Sequence, residues 1–265
     1  MQYDNIKRSL GVVFNRRPFL RKCFFVMLDI LLLRAWHIKK ELRKLKKILP
    51  DDAFVLDAGA GFGQYTYYMS KLGRKWQIKA VEIKAEQIED GNRFFAQIAK
   101  SDRVCFELTD LSVFCEPEKY HLAISIDVME HIPDDVAVFR NIYSSLKPGG
   151  ILLISTPSDK NVSDGGDHID EHVRDGYNAD DIRNKLSETG FSEVSVKYTY
   201  GTPGRISWLL SMKYPMTMLN VSKLFFIILP FYYILTFPFC IFLNLWDIIA
   251  DHKSGTGLMV KAIKT

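Results

Sequence analysis

The stretch Phe54-Val-Leu-Asp-Ala-Gly-Ala-Gly-Phe-Gly63 constrains this chain more than any other. Phe54 to Leu56 reads as a buried strand. Asp57 and three alternate glycines, Gly59, Gly61 and Gly63, read as a sharp turn, and roughly Gln64 to Lys71 as an amphipathic helix. Strand, glycine turn and helix are the parts of a nucleotide site at the carboxyl edge of a parallel sheet. Glycines there let backbone N–H groups approach a ligand that a Cβ would block. A dinucleotide fingerprint wants a third small residue where this chain has Gln64, and no Gly-Lys-Ser/Thr ending marks a phosphate loop. Asp57 narrows the choice further. A carboxylate at the mouth of the turn repels a pyrophosphate and favours a cationic ligand, such as the α-amino group of a methionine-like moiety.

From Asp52 to Thr156 the pattern alternates between strand and helix, which implies a parallel sheet. Strands are expected at Ala53–Asp57, Trp76–Glu82, Arg103–Leu108, Leu122–Asp127 and Gly150–Thr156. Helices are expected near Tyr65–Leu72, Ala85–Ala99 and Asp134–Leu146. Polar residues punctuate the strand ends. Glu82, with Ile83 after it, closes the second strand at the spacing where an acid accepts hydrogen bonds from ribose hydroxyls. Asp110-Leu111 follows the third strand, and Ile126-Asp-Val-Met-Glu-His131-Ile-Pro ends the fourth.

Taken together, Val55-Leu-Asp-x-Gly-x-Gly-x-Gly63 and these strand ends resemble the class I S-adenosylmethionine (SAM)-dependent methyltransferases. Within that class the chain is similar to the methyltransferase type 11 and quinone-biosynthesis O-methyltransferase groups. The resemblance covers roughly Asp51 to Lys197 and Gly257 to Ile263. It implies a Rossmann-like, doubly wound α/β fold whose seven-stranded sheet has an antiparallel last strand. It also implies SAM as cofactor, held by Asp57, Gly59, Ala60, Gly61, Gly63, Glu82, Ile83, Asp110, Leu111, Asp127, Val128 and His131. Asp110 would bond the adenine amino group and Leu111 pack on the ring, while the Asp127–His131 segment, which resembles the family's D-x-x-x-H-x-P, would lie beside the methionine moiety and the acceptor. Leu146-Lys-Pro-Gly-Gly150 resembles the loop entering strand five. In quinone-biosynthesis relatives an acidic-x-x-Glu-His cluster is linked to a divalent metal, here Asp127, Glu130 and His131. The plainer reading is preferred: His131 caps the pocket, Glu130 starts the next helix, and no metal is assigned.

After strand five comes an acidic loop, residues 157–177, with His168 and His172 flanking Asp170 and Glu171. Its "E-H-V-R-x-G-Y" ending resembles a subset of small-molecule methyltransferases. A hydroxyl acceptor needs its proton removed, and a histidine beside a carboxylate is a suitable base. His168 and His172 are therefore the candidate catalytic residues. The competing reading is a solvated loop in which the histidines and Arg174 bond neighbouring acids. Asn178 then caps a helix running to about Thr189, and Phe191–Tyr198 reads as strand six.

Two segments lie outside this scheme. Residues 1–50 carry thirteen Lys or Arg against Asp4, Asp29 and Glu41, a local charge of about +10 in a chain of net +4. An apolar run, Cys23–Leu33, too short to span a bilayer, precedes a basic helix in which Ile38, Leu42, Leu45 and Leu49 share one side. This arm reads equally as an attachment to an anionic membrane surface and as a cover for the core with solvated lysines. Nucleic acid is disfavoured, since no aromatic-rich RNA module accompanies the charge. Four scattered cysteines without a CxxC pair read as reduced thiols.

The second segment runs uncharged from Leu224 to Trp246. Hydropathy alone calls it a membrane span. Yet strands six and seven must pair in one sheet, so the chain has to leave and return on the same side. Pro230 and Pro238 are expected to break the helix into a re-entrant or interfacial hairpin. The expected divisions are a basic helical arm (1–50), a SAM-binding core (51–200), an apolar insertion (201–254) and the last strand (255–265). The functional expectation is methyl transfer, by O-methylation, to a hydrophobic or lipid-linked small molecule on the cytoplasmic membrane face. The alternatives are a soluble enzyme whose hairpin is a lid or dimer interface, and a SAM-binding scaffold without turnover.

Overall fold

The computed structural model describes residues 17–160 and 173–265. Two helices come first, α1 (Pro18–Leu31) and α2 (Leu33–Leu45). The alternating body follows as β1 (Phe54–Ala58), α3 (Gln64–Leu72), β2 (Gln77–Glu82), α4 (Ala85–Gln97), β3 (Val104–Leu108), β4 (Tyr120–Ile126), α5 (Asp135–Ser145), β5 (Leu146–Pro157), α6 (Ala179–Glu188) and β6 (Ser195–Thr199). The insertion comprises α7 (Thr202–Trp208), a π-helical turn at Leu209–Lys213, α8 (Tyr214–Val221), a 3₁₀ turn at Lys223–Ile227 and α9 (Leu229–Ile249). It leads into β7 (Gly257–Ile263).

The strands form one sheet in the order β3-β2-β1-β4-β5-β7-β6. β1 to β5 run parallel, and β7 runs antiparallel to both β5 and β6. This is the expected doubly wound, seven-stranded α/β arrangement. The order reverses between β1 and β4, so the glycine turn and the residues after β4 open on the same crevice.

Alternate residues of each strand feed opposite faces, as a pleat requires. Val55, Ile78 and Ile124 meet Phe25, Ile38, Leu42, Met69 and Phe94 of α1 to α4. Leu56, Val81 and Ala123 meet Val138, Phe139, Ile142 and Ile182 of α5 and α6. The arm's apolar stripe therefore covers the core: Ile38, Leu42 and Leu45 are buried and Leu49 partly so.

Apart from shifts of a residue or two at strand ends, three features differ from expectation. β5 begins at Leu146 rather than Gly150, because Leu146 pairs with Tyr120 before the ladder shifts register and resumes at Leu122–Ile151. β6 begins at Ser195 rather than Phe191. Phe191 makes only a bridge to Lys264, and its ring packs edge-on to Tyr143 at 5.1 Å. The insertion is a hairpin, but the prolines do not break its long helix. Pro230 sits in the first turn of α9, where no N–H is needed, and Pro238 lies inside a helix that continues past it. Just past Pro238, α7 contacts the helix, and Ser207 Oγ donates to Cys240 O at 3.3 Å.

Candidate active site

The glycine turn is held from below by β2. Gly59 and Ala60 both donate their N–H to Val81 O, at 2.9 and 3.0 Å, and Gly63 donates to Ala60 O at 2.9 Å. The expected row of N–H groups facing a ligand is therefore largely spent inside the protein. The glycines also differ in purpose. A Cβ on Gly59 would collide with Val128, and one on Gly63 with Phe106. At Gly61, φ is +53° and the nearest atom to a Cβ would be Gln87 Oε1 at 3.8 Å, so this glycine alone borders open space. Gly61 donates its N–H to Glu82 Oε2 at 2.9 Å, while Glu82 Oε1 accepts from Ile83 and Lys84 N–H at 3.0 and 3.3 Å. Glu82 is thus fixed to the turn by three backbone donors, with lone-pair capacity left for one more.

Asp57 is buried at the end of β1 and accepts a hydrogen bond from Thr66 Oγ1 at 2.5 Å. Burial pushes its carboxyl up to about 7, against the Thr66 hydrogen bond and with the help of the Glu82 charge. Among the described residues no Lys, Arg or His pairs with it. Glu130, buried in the short turn after β4, accepts from Thr156 Oγ1 at 3.1 Å and is likewise raised by burial. Asp127 stands between them at the end of β4 with φ +51°, a strained left-handed conformation for a non-glycine residue. Its carboxylate pairs with the Arg34 guanidinium of α2.

The arm closes over this crevice by three polar ties. Arg21, buried against Phe25 and Phe94, donates to Phe62 O in the glycine turn and to Asp90 O in α4, both at 2.8 Å. Asp29 accepts from Gln64 Nε2 at 2.8 Å. Arg34 completes the set on Asp127. The insertion is bolted to the arm in turn through Asp247, a fully buried carboxylate near the end of α9. It accepts from His37 Nε2 at 2.8 Å and from Gly204 N–H at 3.0 Å, and lies 3.2 Å from His252 Nε2.

A family model described as "Methyltransferase domain" matches residues 33–196, more than half of the chain. The chain belongs to this methyltransferase-domain family. Among curated proteins it is 28% identical over 104 residues to a ubiquinone biosynthesis O-methyltransferase of Neisseria meningitidis, covering 38% of this chain and 43% of the relative. The chain thus spans less than half the length of the curated relatives it matches first. Among solved structures, a putative sarcosine dimethylglycine methyltransferase from Galdieria sulphuraria superposes with a TM-score of 0.60 at 18% identity, covering 88% of this chain and 84% of that one. A phosphoethanolamine N-methyltransferase 2 from Haemonchus contortus, in complex with phosphomonomethylethanolamine and S-adenosylhomocysteine, gives 0.58 at 21% identity, covering 85% and 52%. At such identities the likeness speaks to the fold.

Most of the methyltransferase-domain residues expected from sequence gather at the carboxyl edge. Asp57, Gly59, Ala60, Gly61, Gly63 and Glu82 line the turn; Asp127, Val128 and His131 lie in the segment after β4, with Val128 packed on Gly59. Ile83 is exposed beside Glu82. Asp110 is exposed, and its Oδ1 accepts from Ser112 N–H at 2.8 Å, a local turn that fixes the loop after β3. Leu111 is buried in the core. His168 and His172 lie outside the described residues. Arg174 and Tyr177, from the same motif, are structural. Arg174 donates to Met129 O and Pro133 O, and both side chains engage Asp135. Among the described residues no group of three His, Cys, Asp or Glu is placed to hold a metal ion. Sequence reasoning missed Arg34, which pairs with Asp127 across the crevice. Asp29 and Asp247, lone acids in apolar runs, were the visible hint that such runs face a polar joint.

Proposed function

We propose that this protein transfers a methyl group from SAM to a hydrophobic or lipid-linked small molecule at a membrane surface. The observation that carries the cofactor assignment is the Gly61–Glu82 latch: bare backbone against open space, with an acid locked beside it. The crevice also fits a cationic amino-acid moiety, because no cation among the described residues pairs with the buried Asp57 carboxyl. SAM supplies an electrophilic methyl on a sulfonium sulfur. The chain's own residues do the rest: Glu82 binds ribose hydroxyls, Asp57 favours positive charge, and the arm's ties to Phe62, Gln64 and Asp127 exclude water. O-methylation is the preferred reaction, with His168 or His172 taking the acceptor's hydroxyl proton.

The insertion supports the hydrophobic acceptor and the membrane. α9 has 21 residues and is long and apolar enough to cross a bilayer by length and composition. Its ends are tied to one sheet edge, because β6 and β7 pair directly. The hairpin therefore enters and leaves on one side, which suits a monotopic seat on the cytoplasmic face. Leu224, Phe226, Ile227, Phe231, Ile234 and Leu235, around its tip, are all exposed. So large an exposed apolar patch requires a cover. Between the legs, Leu210, Tyr214, Met218, Phe225 and Tyr232 line an apolar cleft of about 370 Å³, suited to an acyl or isoprenoid chain.

Two measurements test this. Methylation of a lipid extract with labelled SAM, read by mass spectrometry, should yield a methylated apolar product. Flotation with vesicles containing phosphatidylglycerol should carry the wild-type protein and leave Phe231→Ser/Leu235→Ser behind. A wild-type protein that stays in the aqueous fraction and self-associates through the hairpin would refute the membrane seat.

A further inference from the structure

Another polar cluster lies at the amino edge of the sheet, opposite the glycine turn. Phe54 opens β1, His121 stands near the start of β4 and Lys147 near the start of β5. His121 Nδ1 accepts the Phe54 N–H at 3.0 Å. A neutral imidazole offers one acceptor and one donor, so its proton is on Nε2. That nitrogen lies 3.2 Å from Lys147 Nζ, and an ammonium has no lone pair with which to accept. Two donors therefore meet with no acceptor between them. The other tautomer only moves the conflict to the Phe54 N–H. Burial and then the Lys147 charge hold the imidazole below its ordinary pKa, against the Asp52 charge and the Phe54 backbone bond, so the ring is neutral at physiological pH. Lys147 Nζ also sits 5.8 Å from the centre of the Phe54 ring, which stacks on His121. Among the described residues no carboxylate forms an ion pair with Lys147. Beside this meeting point is a cleft of about 350 Å³, between the turn after α2 and the start of β5. Ile48, Leu49, Pro50, Pro148 and Ile151 give it apolar walls, and His121 and Lys147 supply its polar side chains.

We propose that this cleft binds a small molecule carrying one carboxylate on an apolar body. The two carboxylate oxygens accept from His121 Nε2–H and from the Lys147 ammonium, which removes the clash of donors. One ammonium matches one negative charge. A phosphate dianion would bring a second, which the nearby Asp52 charge disfavours. The apolar walls cover the body of the ligand. This site lies at the amino ends of the strands and the glycine turn at their carboxyl ends, so neither assignment rests on the other.

Calorimetry on the full chain with benzoate, benzamide and phenyl phosphate tests this. Benzoate should bind the wild type, and Lys147→Met should weaken it about tenfold, the loss of one charge-assisted hydrogen bond. Benzamide should bind the wild type more weakly than benzoate and should not distinguish it from Lys147→Met. His121→Asn keeps an acceptor for the Phe54 N–H but removes the Nε2 donor, and should weaken benzoate several-fold. Nitrogen NMR of the labelled wild type gives a reading that no variant's folding can affect. His121 should carry its proton on Nε2 near neutral pH, and benzoate should shift that nitrogen. A proton on Nδ1, no heat from benzoate, tighter binding of phenyl phosphate than of benzoate, or equal affinity of benzoate for the wild type and either variant overturns the site.

Discussion

The arm and the hairpin are both helical pairs with apolar surface, yet that surface meets opposite fates. In the arm Phe25 and Leu42 are buried to 2% and 0% exposure, whereas in the hairpin Leu224 and Leu235 remain 74% and 79% exposed. A twisted parallel sheet has two faces and needs both covered. α1 and α2 join α3 and α4 on one face, and α5 and α6 take the other. No sheet face is left for the hairpin, which packs on itself and on α2 and keeps the rest of its apolar surface outward. Hydropathy assigns an apolar run a need for cover; the topology decides whether the chain itself supplies it.

This contrast can be broken by mutation. Phe25→Ala should cost about 3–5 kcal/mol and Leu42→Ala about 2–5 kcal/mol in urea denaturation, the loss expected for emptied core sites. The matching changes in the hairpin, Leu224→Ala and Leu235→Ala, should stay within about 0.5 kcal/mol without lipid. A hairpin loss equal to the arm's would mean that the two regions share one buried core.

Asp247 joins the two regions, so its removal should give the next largest effect. Asp247→Ala should cost about 1.5–3 kcal/mol and raise the protease sensitivity of both hairpin and arm. Its carboxyl is raised by burial, but the His37 hydrogen bond, the two histidine charges and Gly204 N–H bring it below the usual range overall. A depressed folded pKa gives stability that is present above the unfolded pKa and lost as pH falls through the acidic range.

Asp57 has the opposite sign. Its folded pKa of about 7 lies above the unfolded value of 3.8, so the folded state holds the extra proton between about pH 4 and 7. Its contribution to stability therefore declines as pH rises across that window and is flat above it. Asp57→Asn should remove this slope in pH-dependent melting. A cation favours the carboxylate, so SAM affinity should rise with pH up to about 7 and then level off. An affinity flat from pH 5.5 to 8 would detach Asp57 from the ligand.

Much of the sheet and its ligand edge was legible in the sequence, because the signals there are local. Alternating apolar runs, the glycine turn and acids such as Glu82 at strand ends specify strands and their carboxyl termini. Other features were not legible because they depend on partners distant in sequence. Gly59 and Gly63 carry the glycine signature, but that Val128 and Phe106 leave no room there for a Cβ is not visible in it. Pro238 looks like a helix breaker, but α9 continues through it against α7, far away in sequence. The Arg34–Asp127 pair joins residues ninety-three positions apart, and no periodicity in either segment announces it.

The central claim is that the Gly61–Glu82 edge holds SAM, and titration calorimetry tests it most directly. Wild type should bind SAM, and Glu82→Ala should weaken it about ten- to a hundredfold, the worth of a charge-assisted hydrogen bond. Equal affinity in the two proteins, or no heat from SAM with the wild type, would contradict the account.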